Sequence, residues 1–373
     1  MINLCAHCNA RFGGKFPKGE PCHICGGLLG KLPEILGKAA SAMDAKWKTF
    51  ALSTSIPKEV LSREEEAWDY SDGECIKSAL NAFLSKELEK KSGKTYSPMD
   101  ADGRISINLE TLEASGSNEP VFFFGRYKKL IRGICQSRWV CLSCNGRGCK
   151  KCGGTGKIYE ESIEELIGDA VVSETGGKYT LHASGREDVD VLNFAGRPFV
   201  LEVKNPSNIS PNLPAIAEKL NSEKKVEVAS LTKVPSGFVK LVSDSHFPKT
   251  YRAWIESDSP LTREDAQKLL SFDFVLAQRT PERVAHRRAD KIRERRARIV
   301  SATLEEKESN AGAKSLAIVA DIHADAGTYI KELIHSDSGR TKPSISSFLE
   351  KQCRCARLDV IGIEDDFLNL LLP

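Results

Sequence analysis

Apolar residues recur along this chain at two periods, and the switches between them mark its elements. Over residues 74–88 the spacing is helical, with Ile76, Leu80, Phe83 and Leu84 near one face of a predicted amphipathic helix. Residues 99–117 read as strand, and Val121-Phe122-Phe123-Phe124 as a short buried strand. Further on, residues 160–170 predict a helix with Ile163, Leu166 and Ile167 on one side. Strand patterns follow at 199–203, 238–242, 250–255 and 315–321, with a helix over 263–270. Two β-rich runs, 189–192 and 198–203, flank a turn at Ala195-Gly196 and predict a hairpin, preceded by a tight turn at Ser184-Gly185. The class implied is α/β (α+β), built on a mixed sheet with antiparallel strands.

A length of 373 residues exceeds one hydrophobic core and predicts two or three domains. The formal charge of +3 permits a nucleic-acid partner without implying one, so the distribution of charge matters more than its sum. The first eight residues hold no apolar core of signal-peptide length, and no run approaches the ~20 apolar residues of a membrane span. A cytoplasmic protein with no membrane association is expected, and no protein partner is evident, so a monomer. No Gly-x-Gly-x-x-Gly follows a strand and no Gly-x4-Gly-Lys-Ser/Thr occurs, so no organic cofactor is expected.

Eight of the twelve cysteines fall into four Cys-x2-Cys pairs. Two thiolates on a tight turn chelate one side of a tetrahedral zinc, and a second pair completes the shell. Cys5, Cys8, Cys22 and Cys25 read as a zinc ribbon with a structural role, since four thiolates leave no position for water. Cys141, Cys144, Cys149 and Cys152 form a second, compact cluster with glycines at 146, 148, 153 and 154. It resembles one copy of the Cys-x2-Cys-x-Gly-x-Gly repeats of DnaJ-type chaperones, without a J domain. Either it holds its own zinc, or one of its pairs completes the first site.

The run Gly185-Arg186-Glu187-Asp188-Val189-Asp190-Val191 closely resembles the catalytic signature of the tRNA pseudouridine synthase 10 family, an archaeal and eukaryotic group. Further blocks of that family recur in order over residues 120–365. The resemblance implies that Asp188 is the catalytic aspartate. In Lys249-Thr250-Tyr251-Arg252-Ala253 it implies that Tyr251 stacks on the target uracil. In Gly327-Thr328-Tyr329-Ile330-Lys331 it implies that Lys331 pairs with Asp188 and lowers its pKa, while Tyr329 and Ile330 line the uracil pocket. Leu358 corresponds to an apolar residue closing that pocket, and Asp190 to a structural neighbour.

The block Gly125-Arg126-Tyr127-Lys128-Lys129-Leu130-Ile131-Arg132 resembles the end of a THUMP-like RNA-binding domain, which implies phosphate contacts from Arg126, Lys128, Lys129 and Arg132. Residues 279–298 carry nine Lys or Arg against three acidic residues. This block, with Arg287 and Arg288, and the later Arg340 and Lys342 match segments that run beside the tRNA; Arg186 is a further tRNA contact. His286 has no Cys or His at ligand spacing and is no metal candidate.

The organisation implied is a zinc ribbon (1–30), a THUMP-like domain (31–138), a Cys/Gly-rich knuckle (139–157) and a pseudouridine synthase catalytic domain (158–373). The activity implied is isomerisation of uridine 55 in the TΨC arm of tRNA, with uridine 54 a second candidate. Leu192 stands where the family usually has arginine, and residues 39–118 match no motif. A non-catalytic zinc-containing tRNA- or rRNA-binding factor is the alternative; it would not need Asp188, Tyr251 and Lys331 together.

Overall fold

The computed structural model describes residues 2–286, 288–308 and 314–372. Arg287 therefore lies outside the described residues. The chain divides into two compact units: Met1–Val121 with Thr175–Lys178 and Val203–Ser210, and Phe122–Glu174 with Tyr179–Glu202 and Pro211–Pro373. The N-terminal stretch of the first unit runs to Val121, so the basic residues 126–129 belong to the larger unit.

In the first unit, a helix at Leu32–Ser41 precedes β1 (Thr49–Ser55). Helices Lys58–Trp68 and Ile76–Ser92 follow, then β2 (Thr95–Tyr96), β3 (Gly103–Asn108) and β4 (Glu113–Asn118). The sheet order is β2-β1-β3-β4, with β1 parallel to β2 and β3, and β4 antiparallel to β3. The predicted 74–88 helix is present and buries Ile76, Leu80, Leu84 and Leu88, but Phe83 is exposed. At 100° per residue Phe83 falls about 20° outside the arc those four residues span, which puts it past the edge of the stripe.

The second unit is built on one ten-stranded sheet. Its strands are β5 (Val121–Lys129), β6 (Lys178–Ala183), β7 (Leu192–Lys204), β8 (Val226–Val234), β9 (Lys249–Ser257), β10 (Asp273–Arg279), β11 (Ile292–Glu308), β12 (Lys314–Ala324), β13 (Thr341–Lys342) and β14 (Cys353–Ile363). They run in the order β13-β10-β11-β12-β9-β14-β7-β5-β8, with β6 on β7. Pairing is antiparallel from β13 to β14 and turns parallel where Asp359 and Val360 of β14 meet Leu192 and Asn193 of β7. Leu276, Ile299, Ile318, Ile322, Ile255 and Leu333 sit in the core cluster beneath this central stretch.

Two expectations fail here for local reasons. The 189–203 segment is no hairpin: residues 192–204 form one continuous strand. Gly196 alone adopts a positive φ, +77°, and a tight type I′ reversal needs two such residues. Residues 238–242 are helical, within Gly237–Ser243, not a strand. Phe238 and Val239 donate to the Pro235 and Ser236 carbonyls, and the turn so begun buries Val242 against Phe124 and Val200. A five-residue apolar run fits either element, and the upstream proline and serine favour the turn. Among the described residues no helix is long and apolar enough to cross a membrane.

Candidate active site

The loop joining the paired strands β6 and β7 carries Asp188. This loop is held from below by buried polar groups. Glu187 accepts from Arg197 Nε at 2.8 Å and from the Tyr127 hydroxyl at 2.8 Å, all three buried. Arg197 also donates to the Ser184 carbonyl at 2.6 Å. Lys129, wholly buried, donates to the carbonyls of Asp188 and Val189 at 3.1 and 2.9 Å. Gln136 donates to the Gly185 carbonyl at 2.9 Å, and Arg132 to those of Asp190 and Leu358. Gly185 turns the chain at φ +73°, where a Cβ would stand 3.2 Å from the Arg197 guanidinium. The loop backbone is thus fixed by partners other than the Asp188 side chain, which remains 33% exposed.

Two cations reach that side chain. Lys331 Nζ lies 3.4 Å and Arg283 Nη1 3.3 Å from Asp188 Oδ2. Lys331 stands at the start of the Ile330–His335 helix, and its shorter contacts are to both oxygens of Asp190, at 2.8 Å. The expected Lys331–Asp188 pairing is therefore present but shared, and Asp190 is the lysine's principal anchor. Burial pushes the Asp190 carboxyl up, but the bond to Lys331 and its charge outweigh this and hold it below the usual range. Burial pulls Lys331 down, and its bond to Asp190 with the two aspartate charges raises it above the ordinary lysine value. Both partners stay charged through neutral pH.

Around these charges lies a cleft of about 290 Å³ lined by Asp188, Tyr251, Tyr329, Ile330, Lys331 and Leu358 among others. All six residues expected at the uracil site therefore converge. Burial pushes the Tyr251 phenol above its usual range, with Arg197 opposing and the Glu187 and Asp188 charges adding to the shift. Gln278 clamps Tyr329 by accepting from its N–H and donating to its C=O, at 2.8 and 3.0 Å. The Tyr329 hydroxyl accepts from Arg288 at 2.8 Å. Ile330 and Leu358 are buried wall residues.

The remaining basic residues differ in their freedom. Arg186 is exposed over the Trp139 ring, 5.3 Å from its centre, and Lys342 is exposed on β13. Arg340 donates to the Thr280 carbonyl and pairs with Asp290. Arg126 pairs with Asp365 and Asn369, Lys128 with Glu227, and Arg132 with Asp359. The 125–132 block thus spends most of its charge inside the unit, two of its members directly on the Asp188 loop.

Sequence reasoning missed Arg283, which lay unremarked within the 279–298 block, and the Glu187–Arg197–Tyr127 cluster, whose Glu187 and Tyr127 stood in separate motifs with no link between them. It also missed Lys249, a buried lysine lining the cleft and donating to the Phe247 carbonyl at 2.8 Å. Burial and the Arg197 charge lower Lys249 to about 8, against a smaller pull from Asp365. An unfolded lysine keeps its proton to higher pH, so this group makes stability rise with pH from about 8 to 10. Urea titrations at pH 8 and 10 should show the wild type gaining up to about 2 kcal/mol relative to Lys249→Met. Equal pH dependence of the two proteins would count against a depressed Lys249.

Each cysteine cluster closes on itself, its four sulfurs lying within 4.8 Å of one another. The alternative in which one pair completes the other cluster's site falls away. The sulfur separations are 3.7 Å for Cys5–Cys25, 4.0 Å for Cys141–Cys149, 3.9 Å for Cys144–Cys152 and 3.7 Å for Cys149–Cys152. A regular tetrahedron with Zn–S bonds near 2.3 Å sets sulfurs about 3.8 Å apart, whereas a disulfide needs about 2.05 Å. Backbone N–H groups of Cys149 and Gly156 donate to the Cys152 sulfur at 3.2 Å, as thiolate ligands require. The donor sets fit zinc.

Residues 122–364, which carry the sheet and the cleft, match the family model described as Pus10, C-terminal. Named tRNA pseudouridine synthase Pus10, a protein of Methanothermobacter marburgensis is 39% identical over 92% of this chain and 86% of its own length. Proteins of the same name from Methanothrix thermoacetophila (36%; 92% and 77%) and Archaeoglobus fulgidus (35%; 97% and 100%) agree with it. The chain belongs to the Pus10 family of tRNA pseudouridine synthases. A solved Cbf5-Nop10-Gar1 complex covers 55% of this chain and 45% of its own at 15% identity, with a TM-score of 0.30, too low to bear on the fold.

Proposed function

We propose that this protein isomerises uridine in the TΨC arm of tRNA, at position 55 with 54 a second candidate, and with Asp188 as the catalytic carboxylate. The observation that carries this reading is a carboxylate with two cations within 3.4 Å, on a pinned loop, in a cleft walled by Tyr251 and Tyr329. In the reaction the C1′–N1 bond breaks, uracil rotates, and a C1′–C5 bond forms while the C5 proton is lost and N1 gains one. No electrons are exchanged, so no redox cofactor is required. Asp188 acts at the ribose–uracil unit as nucleophile or base, and Lys331 and Arg283 orient it. Tyr251 stacks on the extruded base. Arg186, Arg288 and Lys342 are the best-placed phosphate contacts, with Arg340 beside them.

The first unit serves as a THUMP-like accessory module with a zinc ribbon, supplying affinity and register, and the protein works as a cytoplasmic monomer. The test is incubation with tRNA transcripts carrying cytidine at 54, at 55 or at both, followed by pseudouridine mapping at every position. Product outside these positions, or none on the transcript that keeps uridine 55, would sink the assignment.

Structural zinc in both clusters predicts two metal ions per chain, one per cluster. Cys22→Ser and Cys149→Ser are each expected to lose one of them and to lower the thermal midpoint, because metal binding is coupled to folding. Metal content unchanged by either substitution would exclude that cluster as a site.

A further inference from the structure

A second cavity of about 270 Å³ also reaches the Asp188 loop. It shares Asp188, Arg186, Arg283 and Lys331 with the main cleft and adds two aromatic walls, Trp139 and Tyr159. These rings flank the second cysteine cluster in the sequence, one on either side. The segments leading in and out are tied by Ile158 N–H to the Trp139 carbonyl at 2.9 Å and by Cys141 N–H to the Gly156 carbonyl at 2.8 Å. The rings lie 5.7 Å apart at 69°, forming a corner rather than a stack. Both are half-buried, and the exposed Arg186 guanidinium lies over Trp139. Nothing in the isomerisation uses this corner.

We propose that this cavity takes the nucleobase adjacent to the target uridine, stacked in the Trp139–Tyr159 corner, and that the knuckle serves to hold that corner against the catalytic loop. The inference rests on Asp188 being the catalytic carboxylate. Extruding a uridine breaks the stacking of its neighbour as well as its own, and that loss must be made good on the protein. Two cavities of nearly equal size meeting at one carboxylate suit two successive nucleotides, one reacting and one held. Aromatic rings beside an arginine are the surface on which unpaired bases stack, largely irrespective of sequence. Arg186 supplies the charge complementary to the connecting phosphate.

Two measurements test this. In the first, tRNA carries an abasic residue on one side of the target or the other. With wild-type enzyme, one of the two substrates should lose roughly tenfold in kcat/KM. Tyr159→Ala should lose a similar factor on intact tRNA, Tyr159→Phe should keep most activity, and Tyr159→Ala on that abasic tRNA should lose no more than either change alone. In the second, 2-aminopurine replaces the same neighbour, and its fluorescence is followed on binding to Asp188→Asn protein, where no chemistry intervenes. Quenching should appear with Asp188→Asn and vanish when Tyr159→Ala is added. Loss at neither neighbour, losses that multiply independently, or no quenching overturns the subsite. Quenching without any pseudouridine from wild type would keep the subsite and overturn the catalytic reading instead.

Discussion

Replacing Asp188 by asparagine is expected to reduce pseudouridine formation by at least about a thousandfold while leaving tRNA affinity within a factor of about three. The two effects separate because the carboxylate does not hold up its own loop. The carbonyls of Asp188 and Val189 are held by Lys129, that of Gly185 by Gln136, and that of Ser184 by Arg197. An amide at this position keeps the shape and can still accept from Arg283 or Lys331, but it can neither attack nor take a proton. Asp190→Asn is the informative control. It removes the charge and one of the two oxygens that Lys331 contacts at 2.8 Å, while the amide oxygen can still accept and Asp188 keeps its carboxylate, so activity should fall far less. Single-turnover assays with a filter-binding measurement decide the matter. Asp188→Asn within about tenfold of wild type, or a dead Asp190→Asn beside an active Asp188→Asn, would move the chemistry off Asp188.

Much of the cleft was legible because its residues come in short blocks whose local chemistry is distinctive. Asp188 follows a glycine that turns the chain, Tyr251 lies on a strand, and Tyr329-Ile330-Lys331 opens a helix. What the blocks could not reveal was which charges point inward. Lys129 and Arg132 read as part of a basic run, and only the fold shows them capping carbonyls of the loop that bears Asp188. Likewise Arg126 and Lys128 gain carboxylate partners 239 and 99 residues away, pairings that no local pattern encodes. The same limit explains the failed hairpin, since a single glycine in a β-rich run fits a turn or a kink equally well. It also explains the pairing of Lys331: the lysine was expected on Asp188 with Asp190 a structural neighbour, and the turn at 189–190 brings both to the same ammonium.

The Glu187–Arg197 pair is where the largest loss of stability is expected. Both side chains are essentially without solvent contact, at 0% and 1% exposure. Glu187→Ala strands a guanidinium that no other carboxylate among the described residues neutralises at hydrogen-bonding distance, and the unfolding free energy should drop by about 3–5 kcal/mol. Arg197→Met should cost a comparable amount, since it leaves a buried carboxylate with only the Tyr127 hydroxyl. Replacing both, Glu187→Leu with Arg197→Met, removes two desolvated charges together and should recover much of the stability lost by either single change. Activity should not recover with it. The Ser184 carbonyl loses its 2.6 Å partner and the Tyr127 hydroxyl its acceptor, so the loop carrying Asp188 is no longer fixed where Lys331 and Arg283 meet it. Urea unfolding and pseudouridine assays on the two single variants and the double one separate these effects. A double variant that regains both stability and turnover would show that the pair stabilises the fold without positioning the loop.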